Sequence, residues 1–248
     1  AVDHFYLDGL KRANAISALN KVSDLERIVG RIVSGTVNPR ELIALKDGLA
    51  SVPSLRELLD SPNLDWLQAQ LLPMPEVCSL IEESIDPDPV GAVGDGNVIK
   101  PGFAPEMDDL KNASTNARQF IAGLEQRERD RTDIKGLKVG YNQVFGYYIE
   151  VSKVNIDKVP DDYIRRQTLT NAERYIVPEL KEYESLVLNA RERLEEAEKA
   201  VYHRVCVQLA ESAGAIGRIA SGIARMDVFS SLADTAVENG YIRPKLDQ

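Results

Sequence analysis

Apolar residues recur every three to four positions over most of the chain, which is the spacing of one face of an α-helix. Residues 1–72 carry this pattern in short pieces, and Asn38 followed by Pro39 predicts a capped helix start. Two longer stretches carry a heptad-like series of apolar and small residues. The first series is Met107, Leu110, Ser114, Ala117, Ile121 and Leu124, and the second is Leu186, Ala190, Leu194, Ala197, Val201, Val205 and Leu209. These series predict two long helices that pack against each other, and a last helical stretch follows them.

Residues 73–105 interrupt the helical pattern with closely spaced prolines and glycines. The apolar residues Val93, Val98, Ile99 and Phe103 are placed too regularly for a disordered linker, which would have few groups to bury. We therefore predict an ordered loop with short strands over this segment.

Residues 131–183 change to β-branched and aromatic residues separated by glycine and asparagine. The strand-forming residues are Leu137, Val139, Tyr141, Val144, Phe145, Tyr147, Tyr148, Ile149 and Val151. They predict a β-hairpin or small sheet inserted between the two long helices. The predicted fold class is mainly α with a small β insert, in which a helical core and long antiparallel helices carry a β-rich subdomain. We divide the chain into a helical core with the first long helix (1–130), the inserted domain (131–183), and the returning helix with the end of the core (184–248).

The charge of the chain is unevenly distributed. Its 248 residues carry a formal net charge of −9, which argues against a protein that coats nucleic acid non-specifically. Residues 131–183, however, contain nine Lys and Arg against eight Asp and Glu, a net charge of +1. The acidity therefore lies in the helices, and the β insert is the part of the chain suited to an anionic partner.

Residues 163–174 place arginine among Gln, Thr and Asn, the side chains that form hydrogen bonds with phosphate oxygens. The segment lacks the pattern of a helix that reads bases in a major groove, so it favours contact with a nucleic-acid backbone. The alternative is that Arg165 and Arg174 pair with nearby acidic residues such as Asp161, Asp162 or Glu173 on a solvated surface. Composition leaves both interpretations open.

Other chemistry is weakly indicated. The two histidines lie far apart in sequence, and the two cysteines lack CxxC spacing, so neither a catalytic base nor a zinc site is predicted. The acidic residues of 86–88 and 108–109 lack the ligand pattern of a calcium loop. Gly91, Gly94 and Gly96 lack the lysine of a phosphate-binding loop and are interpreted as a turn. We expect neither catalytic nor metal-binding residues in this chain.

Two stretches strongly resemble the clamp of the bacterial MutS family of DNA mismatch repair proteins. They are residues 137–150 (Leu-Lys-Val-Gly-Tyr-Asn-Gln-Val-Phe-Gly-Tyr-Tyr-Ile-Glu) and 163–180 (Tyr-Ile-Arg-Arg-Gln-Thr-Leu-Thr-Asn-Ala-Glu-Arg-Tyr-Ile-Val-Pro-Glu-Leu). Residues 24–31 and 97–110 are similar to core-domain motifs of the same family. The resemblance thus extends over nearly the whole chain.

The resemblance implies a piece of a longer protein, whose dimer closes two arms around duplex DNA with clamp domains on the sugar-phosphate backbone. The long helices would be levers that relay conformational change between the clamp and an ATPase domain, expected to begin beyond Gln248. The residues that we expect to bind the DNA backbone are Asn142, Lys153, Arg165, Arg166, Gln167, Thr168, Thr170, Asn171 and Arg174.

Two family features are missing from the sequence. It contains no Gly-x-x-x-x-Gly-Lys-[Ser/Thr] loop, so we expect no ATPase activity in this chain, with ATP and Mg bound in the absent ATPase domain. It also lacks the Phe-x-Glu element with which the family reads a mismatch.

The expected partners are double-stranded DNA, a second MutS subunit and a MutL-like protein. The chain shows neither a leader peptide nor an apolar run of about 18 residues, which favours a cytoplasmic protein without a membrane partner. The alternatives are a helical protein–protein interaction module and the equivalent piece of a recombination-type MutS relative.

Overall fold

The computed structural model describes residues 1–142, 144 and 146–244, and these form helices joined to one small sheet. The helices are α1 (Val2–Leu7), α2 (Gly9–Leu19), α3 (Leu25–Val33), α4 (Pro39–Ala50), α5 (Val52–Glu57), α6 (Asp65–Gln68), α7 (Pro75–Ser84), α8 (Pro105–Thr132), α9 (Pro178–Glu211) and α10 (Ala213–Glu238). The strands are β1 (Lys138–Asn142), β2 (Gly146–Ser152), β3 (Ile164–Thr168) and β4 (Ala172–Ile176), and short 3-10 helices occupy Pro62–Leu64 and Lys153–Lys158. None of the helices in the described residues is long and apolar enough to cross a membrane.

The chain divides into two compact units. Unit 1 comprises residues 1–93, 97–103 and 199–248, and unit 2 comprises residues 94–96 and 104–198. The division falls within α9, which belongs to unit 2 as far as Glu198. The domain limits predicted at 131 and 184 lie inside the last turn of α8 and the first turns of α9.

Unit 1 is helical, and α10 packs against α1, α2 and α3. The predicted start of α4 is confirmed. Asn38 accepts a hydrogen bond from the Glu41 backbone N–H at 3.0 Å, and the Glu41 side chain accepts one from the Asn38 N–H at 3.0 Å. Pro39 then occupies the first turn, where the missing N–H of proline costs nothing.

The prediction of an ordered loop with short strands over residues 73–105 is wrong in its first part, which forms the helix α7. Pro75 stands at the start of that helix, where proline is tolerated, and Val77 and Ile81 are buried one turn apart. The predicted short strands reduce to one antiparallel bridge between Ile85 and Ile99. Prolines that punctuate a loop and prolines that begin a helix look alike in sequence, which explains the error.

Unit 2 is built on α8 and α9, which run antiparallel. The rings of Phe120 on α8 and Tyr183 on α9 stack with centroids 3.5 Å apart. Further along, Lys111 and Leu194 both approach Gly96, so the numbering increases along one helix as it decreases along the other. The predicted seam of α8 is buried at most positions, including Met107, Ala117, Ile121 and Leu124. In α9, Val187 is buried and takes the place predicted for Leu186, which is 51% exposed.

The four strands form one antiparallel sheet in the order β1-β2-β4-β3. One face of this sheet lies on a hydrophobic cluster shared with α8 and α9 and formed by residues such as Ile149, Val151, Tyr175, Leu124 and Val187. A mainly α fold with a small β insert is therefore confirmed. Phe145, one of the residues predicted to form the β insert, lies outside the described residues.

Candidate nucleic-acid interface

The β3–β4 hairpin brings most of the predicted backbone-binding residues together. Arg165, Arg166, Gln167 and Thr168 lie on β3, Thr170 and Asn171 form the turn, and Arg174 lies on β4. Lys153 begins the 3-10 helix that follows β2, and its backbone N–H donates to the Asn171 carbonyl at 3.0 Å. Lys153 is therefore held beside the hairpin turn although 18 positions separate it from Asn171 in sequence. We call Lys153, Arg165, Arg166, Thr168, Thr170 and Asn171 the exposed tip residues, since the side chains of all six are exposed.

Asn142 lies apart from this group. It ends β1, where it pairs with Gly146, and its side-chain oxygen accepts a hydrogen bond from the Val144 N–H at 2.8 Å. Strand β2 runs from this end of the sheet to Ser152, which pairs with Ala172 next to the hairpin turn. Six residue steps along a strand span roughly 20 Å. Asn142 therefore shapes the β1–β2 turn at the opposite end of the sheet from the exposed tip residues.

Arg166 occupies an irregularity in the β3–β4 ladder. Arg165 pairs with Tyr175 and Gln167 pairs with Arg174, so Arg166 is an extra residue on β3, as in a β-bulge. Its side chain is exposed. Bulges commonly redirect side chains at sheet edges, and β3 is an edge strand of the described sheet. The bulge thus directs one arginine away from the ladder and into solvent.

Arg165 has one acidic neighbour. Its Nη1 lies 3.5 Å from the Glu173 Oε1, but the Arg165 side chain is 64% exposed while Glu173 is buried. Glu173 also accepts a hydrogen bond from the Tyr175 hydroxyl at 2.6 Å. Burial and this hydrogen bond raise the pKa of Tyr175 to about 12, so the phenol stays protonated and donates to Glu173. A long ion pair of this kind is weak, and most of the Arg165 guanidinium remains accessible.

Arg174 has a different environment from the other two arginines. Its Nε donates to Glu150 Oε2 at 2.9 Å, its Nη1 donates to Gln167 Oε1 at 3.0 Å, and its guanidinium lies 4.1 Å from the Tyr148 ring centroid. Only 21% of the side chain is exposed. Arg174 thus forms an ion pair, as the alternative interpretation expected, but its acidic partner is Glu150 on the neighbouring strand and not Asp161, Asp162 or Glu173.

Sequence reasoning missed Val154, which follows Lys153 in the 3-10 helix and is 90% exposed. An isolated exposed valine is common on protein surfaces. Its position next to Lys153 and the hairpin turn nevertheless places one apolar group among the polar tip residues. Nothing in the sequence distinguishes it from the many valines that are buried.

Acidic residues of the two long helices fix the sheet from its inner side. Glu125 on α8 accepts a hydrogen bond from the Val139 N–H at 2.9 Å, and Glu128 accepts one from the Tyr163 hydroxyl at 2.7 Å. Burial, together with this bond to Glu128, raises the pKa of Tyr163. On α9, Glu184 accepts a hydrogen bond from the Tyr147 N–H at 3.1 Å. These carboxylates are all engaged with groups on the helix side of the sheet.

The turn predicted at Gly91–Gly96 serves an internal contact. The N–H groups of Gly94 and Gly96 both donate to Glu198 Oε2 at 2.7 Å, and Glu198 is fully buried. The amides that a phosphate would require are therefore bound to a carboxylate of the same unit. Across the described residues, no three His, Cys, Asp or Glu side chains come together as a metal site would need.

Comparison with known proteins finds relatives that match nearly the whole chain. Residues 102–193 match the sequence model of MutS family domain IV. The chain is 47% identical over 247 residues to a DNA mismatch repair protein MutS of Dehalococcoides mccartyi, which covers 98% of this chain and 29% of that protein. It is 45% identical over 243 residues to the MutS of Pelotomaculum thermopropionicum and 42% identical over 248 residues to that of Thermotoga neapolitana, covering 96% and 100% of this chain and 28% and 31% of those proteins. The chain thus spans less than a third of the length of these relatives.

Proposed function

Because the chain belongs to the MutS family, we propose that its unit 2 binds the sugar-phosphate backbone of duplex DNA, with the exposed tip residues as the contact surface. The observation that carries this proposal is the assembly of exposed Lys153, Arg165 and Arg166 with hydroxyl and amide side chains at one end of the sheet. Such groups bind phosphate oxygens and carry no sequence information. The contact is therefore independent of DNA sequence.

The charge of the tip sets the expected strength of binding. Residues 131–183 carry a net charge of only +1, and the chain as a whole is acidic. We expect a dissociation constant of about 100 µM near physiological salt, which is typical of non-specific binding. Binding should strengthen steeply as salt is lowered, because each phosphate contact releases condensed counterions.

The test of this proposal is a variant with two cations of the tip neutralised, Lys153→Gln with Arg166→Gln. We expect the slope of log K against log salt to become shallower by about 2, and the affinity at low salt to fall by about tenfold. Fluorescence anisotropy of a labelled duplex measures both quantities. Arg191→Gln with Arg193→Gln is the charge-matched control, since both arginines are exposed on α9 within unit 2. Equal losses in the two variants, or unchanged binding in the first, would refute the tip as the contact surface.

The second part of the proposal concerns α8 and α9. Helices of 28 and 34 residues that pack against each other and hold the sheet through Glu125 and Glu184 are suited to carry a displacement of the sheet along their length. We assign ATP hydrolysis to parts of the longer relatives outside this chain, because the sequence carries no phosphate-binding loop with its lysine.

Hydrogen exchange with and without duplex tests the relay. We expect DNA to slow exchange at residues 153–174, and also along α9 beyond Glu198, where no tip residue lies. Protection confined to residues 135–175 would leave DNA binding in place and exclude a relay through α9.

A further inference from the structure

A row of side chains crosses three strands on the outer face of the sheet. Glu150 on β2 pairs with Arg174 on β4, and Arg174 pairs with Gln167 on β3. Because side chains alternate between the faces of a strand, this row faces away from the core, which receives Ile149 and Tyr175. We call Tyr148, Glu150, Gln167 and Arg174 the outer-face network.

Arg174 is the centre of this network. It donates to Glu150 at 2.9 Å on one side and to Gln167 at 3.0 Å on the other, and its guanidinium lies over the Tyr148 ring. The planar guanidinium can serve all three partners together, whereas the single nitrogen of a lysine cannot. Strand β3 is thereby tied to β2 across the intervening β4.

The Tyr148 ring packs directly over Gly140. A Cβ at Gly140 would lie 2.7 Å from the ring and hydroxyl atoms of Tyr148, which is too close for an ordinary contact. Gly140 pairs with Tyr148 in the β1–β2 ladder, so the ring occupies the space that the glycine leaves free. With Gly140 on β1, Tyr148 and Glu150 on β2, Arg174 on β4 and Gln167 on β3, residues of all four strands take part in the contacts around Arg174.

Strand β3 needs such a tie because it is an edge strand in the described sheet, it is interrupted by the bulge at Arg166, and its side chains are almost all exposed. We propose that Arg174 is a positioning residue, which fixes β3 and its arginines for the DNA contact without touching phosphate itself. The proposal rests on the DNA-binding function proposed above. Arg174 is then not one of the phosphate contacts, although its sequence context placed it among them.

The charge of Glu150 separates a positioning role from a contact role. As a phosphate contact, Arg174 would be hindered by the adjacent Glu150 carboxylate, and Glu150→Gln would release the arginine and remove a repulsive charge. Affinity for DNA would then rise. As a positioning residue, Arg174 is held by Glu150. Glutamine can still accept its Nε–H but gives up the charge-assisted bond, so Glu150→Gln weakens the hold on β3 and does not raise affinity.

Arg174→Lys provides the second criterion. Lysine keeps the positive charge and can bind phosphate as a point charge, so a phosphate contact would survive with affinity within about twofold of the wild type. The positioning role would be lost in this variant, because lysine cannot bind Glu150 and Gln167 together over the Tyr148 ring. We then expect affinity at low salt to fall by about fivefold and the salt slope to become shallower by about 1, even though net charge is conserved.

The experiment measures duplex binding of the full chain as a function of salt for wild type, Arg174→Lys, Glu150→Gln and the tip variant Lys153→Gln with Arg166→Gln. Weaker binding by Arg174→Lys, without stronger binding by Glu150→Gln, supports the inference. Stronger binding by Glu150→Gln, or Arg174→Lys within twofold of the wild type, overturns it. Hydrogen exchange at β2 and β4 amides reports whether the sheet is intact in each variant. If Arg174→Lys unfolds the sheet, the direction in which Glu150→Gln changes affinity distinguishes the positioning role from the contact role.

The tip variant separates the two levels of the proposal. If it binds DNA as the wild type does, the proposed contact surface fails and the role of Arg174 fails with it. If it loses binding while Arg174→Lys keeps it, only the positioning role is refuted.

Discussion

Replacing Glu198 by alanine is expected to lower the free energy of unfolding of unit 2 by about 3 kcal/mol. The Glu198 carboxylate is fully buried, and its Oε2 accepts hydrogen bonds from the N–H groups of Gly94 and Gly96, both at 2.7 Å. Alanine would leave the buried Gly96 amide without this acceptor, at a cost of about 1–3 kcal/mol. The Gly94 amide is partly accessible to water and loses less, and the space vacated by the side chain adds a packing loss.

The measurement has to report on unit 2. The single tryptophan, Trp66, lies in unit 1, so its fluorescence does not follow the change. Hydrogen exchange of the Gly94 and Gly96 amides and of the sheet amides does report the change in the stability of unit 2. Glu198→Gln is the matched variant, because its amide oxygen can still accept both hydrogen bonds, and we expect it to cost about 1 kcal/mol. An alanine variant that costs no more than the glutamine variant would show that the two glycine amides contribute little.

The long helices were predictable because their signal is local. An apolar stripe at helical spacing fixes both the helix and the side that it buries, as at Met107, Ala117 and Ile121. Where two apolar residues are adjacent, the stripe is ambiguous by one position. Leu186 was predicted in the seam of α9, and Val187 is the residue that is buried there.

The sheet was predictable as β structure but not in its pairing. The strands β3 and β4 lie in a segment rich in polar residues, and their order in the sheet depends on contacts between residues far apart in sequence. The partners of Arg174 illustrate this limit. Sequence proximity suggested Asp161, Asp162 or Glu173, whereas the register places Glu150 directly opposite it.

The chemistry of the candidate interface could be read from residue types, and its geometry could not. Eight of the nine predicted residues lie on or next to the β3–β4 hairpin. The sequence alone suggested this for seven of them, because they fall within the ten residues 165–174. Lys153 joins them through the ladder between β2 and β4, which no local pattern reveals. Asn142 is separated for the same reason, since the direction of β2 carries the two turns to opposite ends of the sheet.

Gly146→Ala is expected to destabilise unit 2 by about 3 kcal/mol, the sum of backbone strain and the displacement of a buried carboxylate. Gly146 has a φ of +77°, a conformation that alanine adopts only with strain. A Cβ built there would overlap the carboxylate of Glu184, which is buried, accepts the Tyr147 N–H at 3.1 Å and pairs with Lys181 at 2.6 Å. Glu184 cannot retreat without giving up these partners, so the cost exceeds that of strain alone.

Two comparisons divide this cost into its parts. Gly35 has a similar φ of +69°, and a Cβ added there would meet no atom within 4 Å, so Gly35→Ala isolates the strain, expected at about 1 kcal/mol in unit 1. In a Glu184→Ala background the carboxylate is gone, and Gly146→Ala should then cost only the strain. Hydrogen exchange of the β2 amides measures the cost in unit 2, and Trp66 fluorescence during denaturation measures it in unit 1. If Gly146→Ala costs the same with and without the Glu184 side chain, the carboxylate is not what makes glycine necessary at the β1–β2 turn, and strain must carry the whole effect.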